Sequence, residues 1–116
     1  MGQSKSLIHL IETEQYETAL QLLSENSDNN EEIPVHFDDE NRSPLHYAVA
    51  KNHAEIVRKC IEVGFSIELK DVRGRTALHV AVFQNSVEMT QLLIDLGADL
   101  NAVDHQNMTP LHWVWV

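Results

Sequence analysis

Seven histidines and a single cysteine carry most of the reactive chemistry available to this chain. A metal site is the first chemistry they suggest. His46, His79 and His112 close the tetrapeptides Ser43-Pro44-Leu45-His46, Thr76-Ala77-Leu78-His79 and Thr109-Pro110-Leu111-His112, 33 residues apart each time. Residues in one register of a stacked unit stand roughly one helix-packing distance apart, about 8–10 Å. Two imidazoles that each reach zinc at about 2.0–2.1 Å cannot be so distant. His9, His36, His53 and His105 share no spacing that makes a site. Cys60 stands in register with Leu22 and Leu93, so it reads as a small buried apolar side chain, not a nucleophile. No Gly-rich phosphate loop or pair of catalytic acids stands out. The expectation is no enzyme: no catalytic residue, no metal and no cofactor.

Composition narrows the class further. The 116 residues fit one domain, and 43% hydrophobic with 22% charged residues is ordinary for a globular chain. Eight Lys+Arg against 18 Asp+Glu give a net charge of -10, which argues against holding nucleic acid by phosphate neutralisation. One cysteine rules out an internal disulfide framework and fits a reducing compartment. No apolar run nears the ~18 residues of a membrane span, and the start lacks a signal-peptide core. A cytoplasmic or nuclear protein that is not secreted is expected. The acidity is concentrated in the first 42 residues, where Lys5 and Arg42 face ten acids. Most of these acids fall between Glu25 and Glu40, a polar, Asn-rich stretch that reads as a solvated connector or a docking strip for a basic partner.

The elements that position these residues follow from the 33-residue period. Asp38, Asp71 and Asp104 precede the Ser/Thr by five residues, and Asn41, Gly74 and Asn107 precede it by two. Asn and Gly tolerate the positive φ that a tight turn needs. Ser43, Thr76 and Thr109 are N-cap types, and Pro44 and Pro110 suit the first helical position. Leu45, Ala48 and Val49, like Leu78, Ala81 and Val82, have the spacing of a buried helical face. Asn52 and Asn85 break the chain before a second helix, whose apolar face carries Ile56, Val57, Cys60 and Ile61, or Met89, Thr90, Leu93 and Ile94. Gly64 and Gly97 are predicted to end these helices in the left-handed conformation.

With these motifs the chain resembles the ankyrin repeat family: the Asp-x-x-Gly-x-Thr-Pro-Leu-His pattern, the Gly-Ala-Asp-Leu-Asn ending and the period are its signature. The implied fold is an all-α repeat, an ankyrin-repeat solenoid of helix-turn-helix units joined by β-hairpin-like loops. Residues 38–70 and 71–103 are full repeats and 104–116 a partial one, after an acidic connector over 27–37. Residues 4–26 read as a divergent N-terminal helix pair, because Leu7, Leu10, Ile11, Ala19 and Leu23 align without gaps to Leu45, Ala48, Val49, Val57 and Ile61, with Asn26 at the place of Gly64. The resemblance gives His46, His79 and His112 a hydrogen-bonding role beneath the turns.

At the other end, Leu111-His112-Trp113-Val114-Trp115-Val116 stops inside a first helix. Either the chain is a fragment of a longer array, or Trp113 and Trp115 close the stack and invite self-association. The opening Met1-Gly2-Gln3-Ser4-Lys5-Ser6 fits the myristoylation pattern at Gly2, and membrane association is expected only if that acylation occurs. Leu93, Asp99, Leu100 and Asn101 resemble the pattern modified by asparaginyl hydroxylases, although Asn101 also suits a plain turn-supporting role.

The family implies protein–protein recognition through turn tips and the end of the first helix. Carried over by register, the contact residues are Asp39, Glu40, Arg42, Ala50 and Lys51, then Val72, Arg73, Arg75, Phe83 and Gln84, then His105, Gln106 and Met108. Phe83 with Arg73 and Arg75 has hot-spot composition, although Phe83 equally suits packing on a neighbouring repeat. The expected activity is non-catalytic capture of a partner protein, one with a basic surface if the acidic stretch steers it. The alternatives are a spacer within a larger protein and a lipid-anchored adaptor. Replacing Phe83, Arg73 and Arg75 together by Ala is expected to abolish capture with helicity intact.

Overall fold

A computed structural model describes residues 7–28 and 37–110. The described chain is helical with no strands and forms three stacked helix pairs: α1 Leu7–Glu12 with α2 Tyr16–Asp28, α3 Pro44–Ala50 with α4 Ala54–Glu62, and α5 Ala77–Phe83 with α6 Val87–Asp95. First helices contact first helices, α1 on α3 and α3 on α5, and α2 lies on α4. The main contacts are thus between neighbouring pairs, as in a solenoid.

Local sequence chemistry sets the boundaries of the second and third pairs. Ser43 and Thr76 cap α3 and α5 in extended conformations that superpose, φ −87° and ψ 167° against φ −91° and ψ 174°. Each side-chain oxygen accepts from the backbone N–H three residues on, which satisfies a donor the helix start leaves open. Pro44 occupies the first turn of α3, where its missing N–H removes no helical bond. Asn52 and Asn85 end the first helices at φ 59° and 62°, and Gly64 and Gly97 end the second ones at φ 115° and 98°. Thr109 is described, but the helix it would begin runs into residues outside the described range.

The N-terminal pair keeps this geometry with different residues. Glu14 adopts φ 64° where its counterparts are Asn52 and Asn85. The Gln15 N–H donates to the Leu10 carbonyl at 2.8 Å, as His53 does to Ala48 and Ser86 to Ala81. The ungapped alignment is thus a structural correspondence, not only a compositional one. Asn26, by contrast, does not end a helix, because α2 continues to Asp28. The rest of the acidic connector, residues 29–36, lies outside the described residues.

The core is one continuous cluster through all three pairs. Leu45, Ala48 and Val49 from α3, Ile56, Val57 and Cys60 from α4, and Leu78 and Ala81 from α5 are almost wholly buried. Removing a large aliphatic side chain from such a site costs about 2–5 kcal/mol. Val82, Ile61 and Thr90 are only half-buried, and Ile94 is exposed. The apolar faces read from the sequence are therefore complete for α3 and incomplete toward the last pair. No described helix is long and apolar enough to cross a membrane.

Candidate functional site

Three turns of one design project from the helix pairs. In each, an aspartate N–H donates to a carbonyl four residues on, Asp38 to Arg42, Asp71 to Arg75 and Asp104 to Met108, at 3.1, 3.0 and 3.0 Å. Each Asp Oδ1 accepts from the N–H groups two and four residues later, at 2.7–2.9 Å. Asn41, Gly74 and Asn107 supply the positive φ. At Gly74 a side chain is excluded twice over, since a Cβ there would stand 2.6 Å from Cδ2 of His105. Adjacent turns are tied by backbone bonds, Val72 N–H to Glu40 carbonyl at 2.8 Å and His105 N–H to Arg73 carbonyl at 2.9 Å.

The second oxygen of the aspartate takes an arginine where one is present. Arg42 Nε meets Asp38 at 2.8 Å and Arg75 Nε meets Asp71 at 3.1 Å. Burial alone would raise the Asp38 carboxyl, but hydrogen bonds from the Tyr47 hydroxyl and from Arg42 outweigh it and bring it to about 2. Tyr47 is pushed up to about 12 by burial and by the same 2.6 Å bond to Asp38. Asp71 also lies below the ordinary carboxylate range: burial opposes the shift, and the N–H groups of Arg75 and Arg73 overcome it. The Arg42 guanidinium sits 5.5 Å above the Tyr47 ring, within cation–π reach.

The histidines of the first two tetrapeptides are structural. The Ser43 N–H donates to His46 Nδ1 at 3.1 Å, and His46 Nε2 lies 2.9 Å from the Arg75 carbonyl. An N–H can only donate and a carbonyl can only accept, so the ring is neutral with its proton on Nε2. His79 repeats the arrangement, with Thr76 N–H at 3.1 Å and the Met108 carbonyl at 2.9 Å. Among the described residues no group of three His, Cys, Asp or Glu is placed to hold a metal. Burial pushes the Cys60 thiol up to about 12, which keeps it protonated.

Two concavities open beside the turns. The first, about 280 Å³, runs between the first and second repeats and is walled by Arg42, Tyr47, Ala50, Arg75, Val80, Phe83 and Gln84. The second, about 320 Å³, lies between the second and third turns and is walled by Val72, Arg73, Arg75, Asp104, His105 and Gln106. Arg75 belongs to both walls. Of the contact residues expected from sequence, Asp39, Glu40, Lys51 and Met108 line neither. Lys51 instead caps α3 and reaches Glu14 at 3.6 Å. Phe83 is 63% exposed and Val72 53%.

Tyr47 and Val80 are the half-buried wall residues that register reasoning missed, whereas His46, Asp71, His79 and Asp104 line the clefts from buried positions. Tyr47 and Val80 are the pair that spacing could reach. They lie one helical turn before Ala50 and Phe83 on the same face, and that three-residue spacing is the signal that would have found them. Asn101 is exposed, with its N–H on the Asp99 carboxylate at 2.9 Å. Gly2, His112, Trp113 and Trp115 lie outside the described residues.

Stacked helix pairs with projecting turns and a groove along the first helices define a repeat-solenoid interaction fold. A family model for ankyrin repeats in three copies matches residues 7–104, so the chain belongs to the ankyrin repeat family. Ankyrin repeats are generally non-catalytic modules of protein–protein interaction. The chain is also similar to the crystal structure of the ankyrin repeat domain of Bcl-3, a unique member of the IkappaB protein family. The TM-score is 0.82 at 24% identity, over 98% of this chain and 51% of that one. The chain thus spans about half the length of that domain, and the likeness at this identity is one of fold. No curated protein matches the chain significantly.

Proposed function

We propose that this chain holds a partner protein on the face formed by the turn tips and the first helices, with the groove beside Phe83 at its centre. The observation that carries this reading is the 63% exposure of Phe83 at the end of α5, in a groove walled also by Tyr47, Val80 and two arginines. A ring left largely exposed forgoes part of its burial free energy, and aromatic and Arg side chains dominate measured interface energetics. A lone, buried, protonated cysteine is compatible with work in the cytoplasm or nucleus.

Arg75 is unsuited to a test of binding, because it neutralises a buried carboxylate. Its removal would strand Asp71 and weaken the fold itself. The decisive variant is Phe83→Ala with Arg73→Ala, both exposed positions. Immobilised chain is used to capture protein from a cell lysate, with circular dichroism as the control for folding. The expected outcome is a retained species that the double variant loses while its helical signal is unchanged. Equal retention by a folded double variant overturns the face.

A further inference from the structure

The cleft between the second and third turns runs against the charge of the chain. Residues 70–75 hold Lys70, Arg73 and Arg75 against Asp71, and residues 103–108 add only Asp104. Three cations thus face two carboxylates, in a chain of net charge -10. The two signs also sit at different depths. Asp71 and Asp104 are buried, and the Oδ1 of each accepts from two backbone N–H groups. Arg73 is exposed, and among the described residues it forms no ion pair. Arg75 is half-buried and meets Asp71 through Nε alone, at 3.1 Å, which leaves its terminal amino groups as donors. Lys70 donates from Nζ to the Val103 carbonyl at 3.1 Å, so its charge stands beside the third turn. A group entering the cleft meets guanidiniums at the surface, with the carboxylates beneath already supplied with N–H donors.

We infer that this cleft binds a carboxylate of the partner protein, an Asp or Glu side chain received by Arg73 and Arg75. This deepens the proposed function and rests on the same face, because Arg75 walls both this cleft and the groove beside Phe83. Both guanidiniums line one space of about 320 Å³, and their planar N–H pairs match a carboxylate. Arg75 is already ordered by Asp71, so less side-chain freedom is lost when it takes up a ligand. The backbone of Arg73 is fixed from both sides, its N–H on Asp71 Oδ1 and its carbonyl under the His105 N–H, each at 2.9 Å. The facing wall is fixed as well, since the His105 ring lies over Gly74, where a Cβ would stand 2.6 Å from its Cδ2. Val72, apolar and largely exposed in the same wall, gives an apolar group beside the carboxylate something to cover. A basic side chain would meet Arg73, which has no counter-ion of its own, so the cleft selects against it. Net charge alone points to a basic partner; at this cleft the local charge reverses that choice.

The test is selection of a phage-displayed library of random linear peptides on the full chain, with Arg73→Glu and Phe83→Ala alongside. The expected enrichment is Asp or Glu next to an apolar residue, with binding that weakens as salt is added. Arg73→Glu reverses the exposed charge and leaves the turn intact, because Arg73 serves the turn only through its backbone N–H and carbonyl. Circular dichroism checks that it does. This variant is expected to bind the selected peptides ~10-fold more weakly, a loss of about 1.4 kcal/mol. Selection repeated on it should enrich Lys or Arg in place of the acid.

Peptides without an acidic residue, or acidic peptides that a folded Arg73→Glu binds equally well, overturn the inference. If Phe83→Ala abolishes the binding of such peptides, the groove stands and only the carboxylate site falls. Acidic peptides lost by Arg73→Glu and indifferent to Phe83→Ala support the cleft and remove the groove from the centre of the face. Recovery of no peptide also overturns the inference, and lysate capture then decides the face separately.

Discussion

Nε2 of His46 and the carbonyl of Arg75, 29 residues apart in the chain, meet at 2.9 Å. One neutral imidazole thereby completes the capping box of its own helix through Nδ1 and fastens the next turn through Nε2. The bond couples two layers of a solenoid, beside the packing and the turn-to-turn backbone bonds that also join neighbours.

Replacing His46 with Ala removes both bonds and leaves the Arg75 carbonyl without its imidazole donor. The expected loss is about 2 kcal/mol, from the lost bond between layers and a weakened cap, with the Arg75 carbonyl keeping only the Asp71 N–H. Urea unfolding followed by circular dichroism checks it; an unchanged midpoint would show that the bond contributes nothing.

Acid should destabilise the domain in two stages. Burial holds His46 below its ordinary 6.5, so the unfolded chain takes up a proton there more readily than the folded one. That contribution is fully present above pH 6.5 and declines as pH falls below it. Asp38, at about 2 in the folded state against 3.8 ordinarily, adds stability above pH 3.8 that disappears toward pH 2. Asp71 is displaced in the same direction. Urea midpoints measured from pH 8 down to pH 2 should hold to about 6.5, fall below it and fall again below 3.8, and Asp38→Asn should flatten the lower stage. A midpoint that rises with acid contradicts both assignments.

Met108 stands where the first two turns place Arg42 and Arg75. Asp104 consequently has no guanidinium partner among the described residues, although Asp38 and Asp71 each have one. Met108→Arg is expected to supply it and to stabilise the domain by up to ~1 kcal/mol, the range of a partly exposed ion pair. Thermal unfolding should show a modest rise in Tm at low salt that shrinks as salt is added. A lowered Tm would mean that the methionine packs more favourably than the charge pairs.

Glu14 occupies a left-handed position, φ 64°, that the later units give to Asn52 and Asn85. A side chain of this type pays for that conformation, whereas Asn tolerates it. The one ion pair it forms among the described residues is a 3.6 Å contact with Lys51, and Glu14 is largely exposed there, so little is lost by removing it. Glu14→Asn should stabilise by about 0.5 kcal/mol, measured as a higher urea midpoint with unchanged slope.

Much of the fold was legible because each unit writes its boundaries in local chemistry. A cap favours Ser or Thr, a left-handed turn favours Asn or Gly, and a buried face must be apolar at i, i+3 and i+4. Ser43 and Thr76, Asn52 and Asn85, Gly64 and Gly97 therefore announce themselves from spacing alone. The sequence could also place Phe83 and Arg73 on the face proposed for binding, through register. Only the tertiary structure separated Arg75, tied to a buried carboxylate, from Arg73, which forms no ion pair among the described residues. It alone brought Tyr47 and Val80 into the groove wall, and it alone drew Lys51 and Met108 aside into Glu14 and His79. The physical reason is that a residue's type fixes what its own turn of chain can do. Its partners from layers 29 to 37 residues away are decided by how the layers stack.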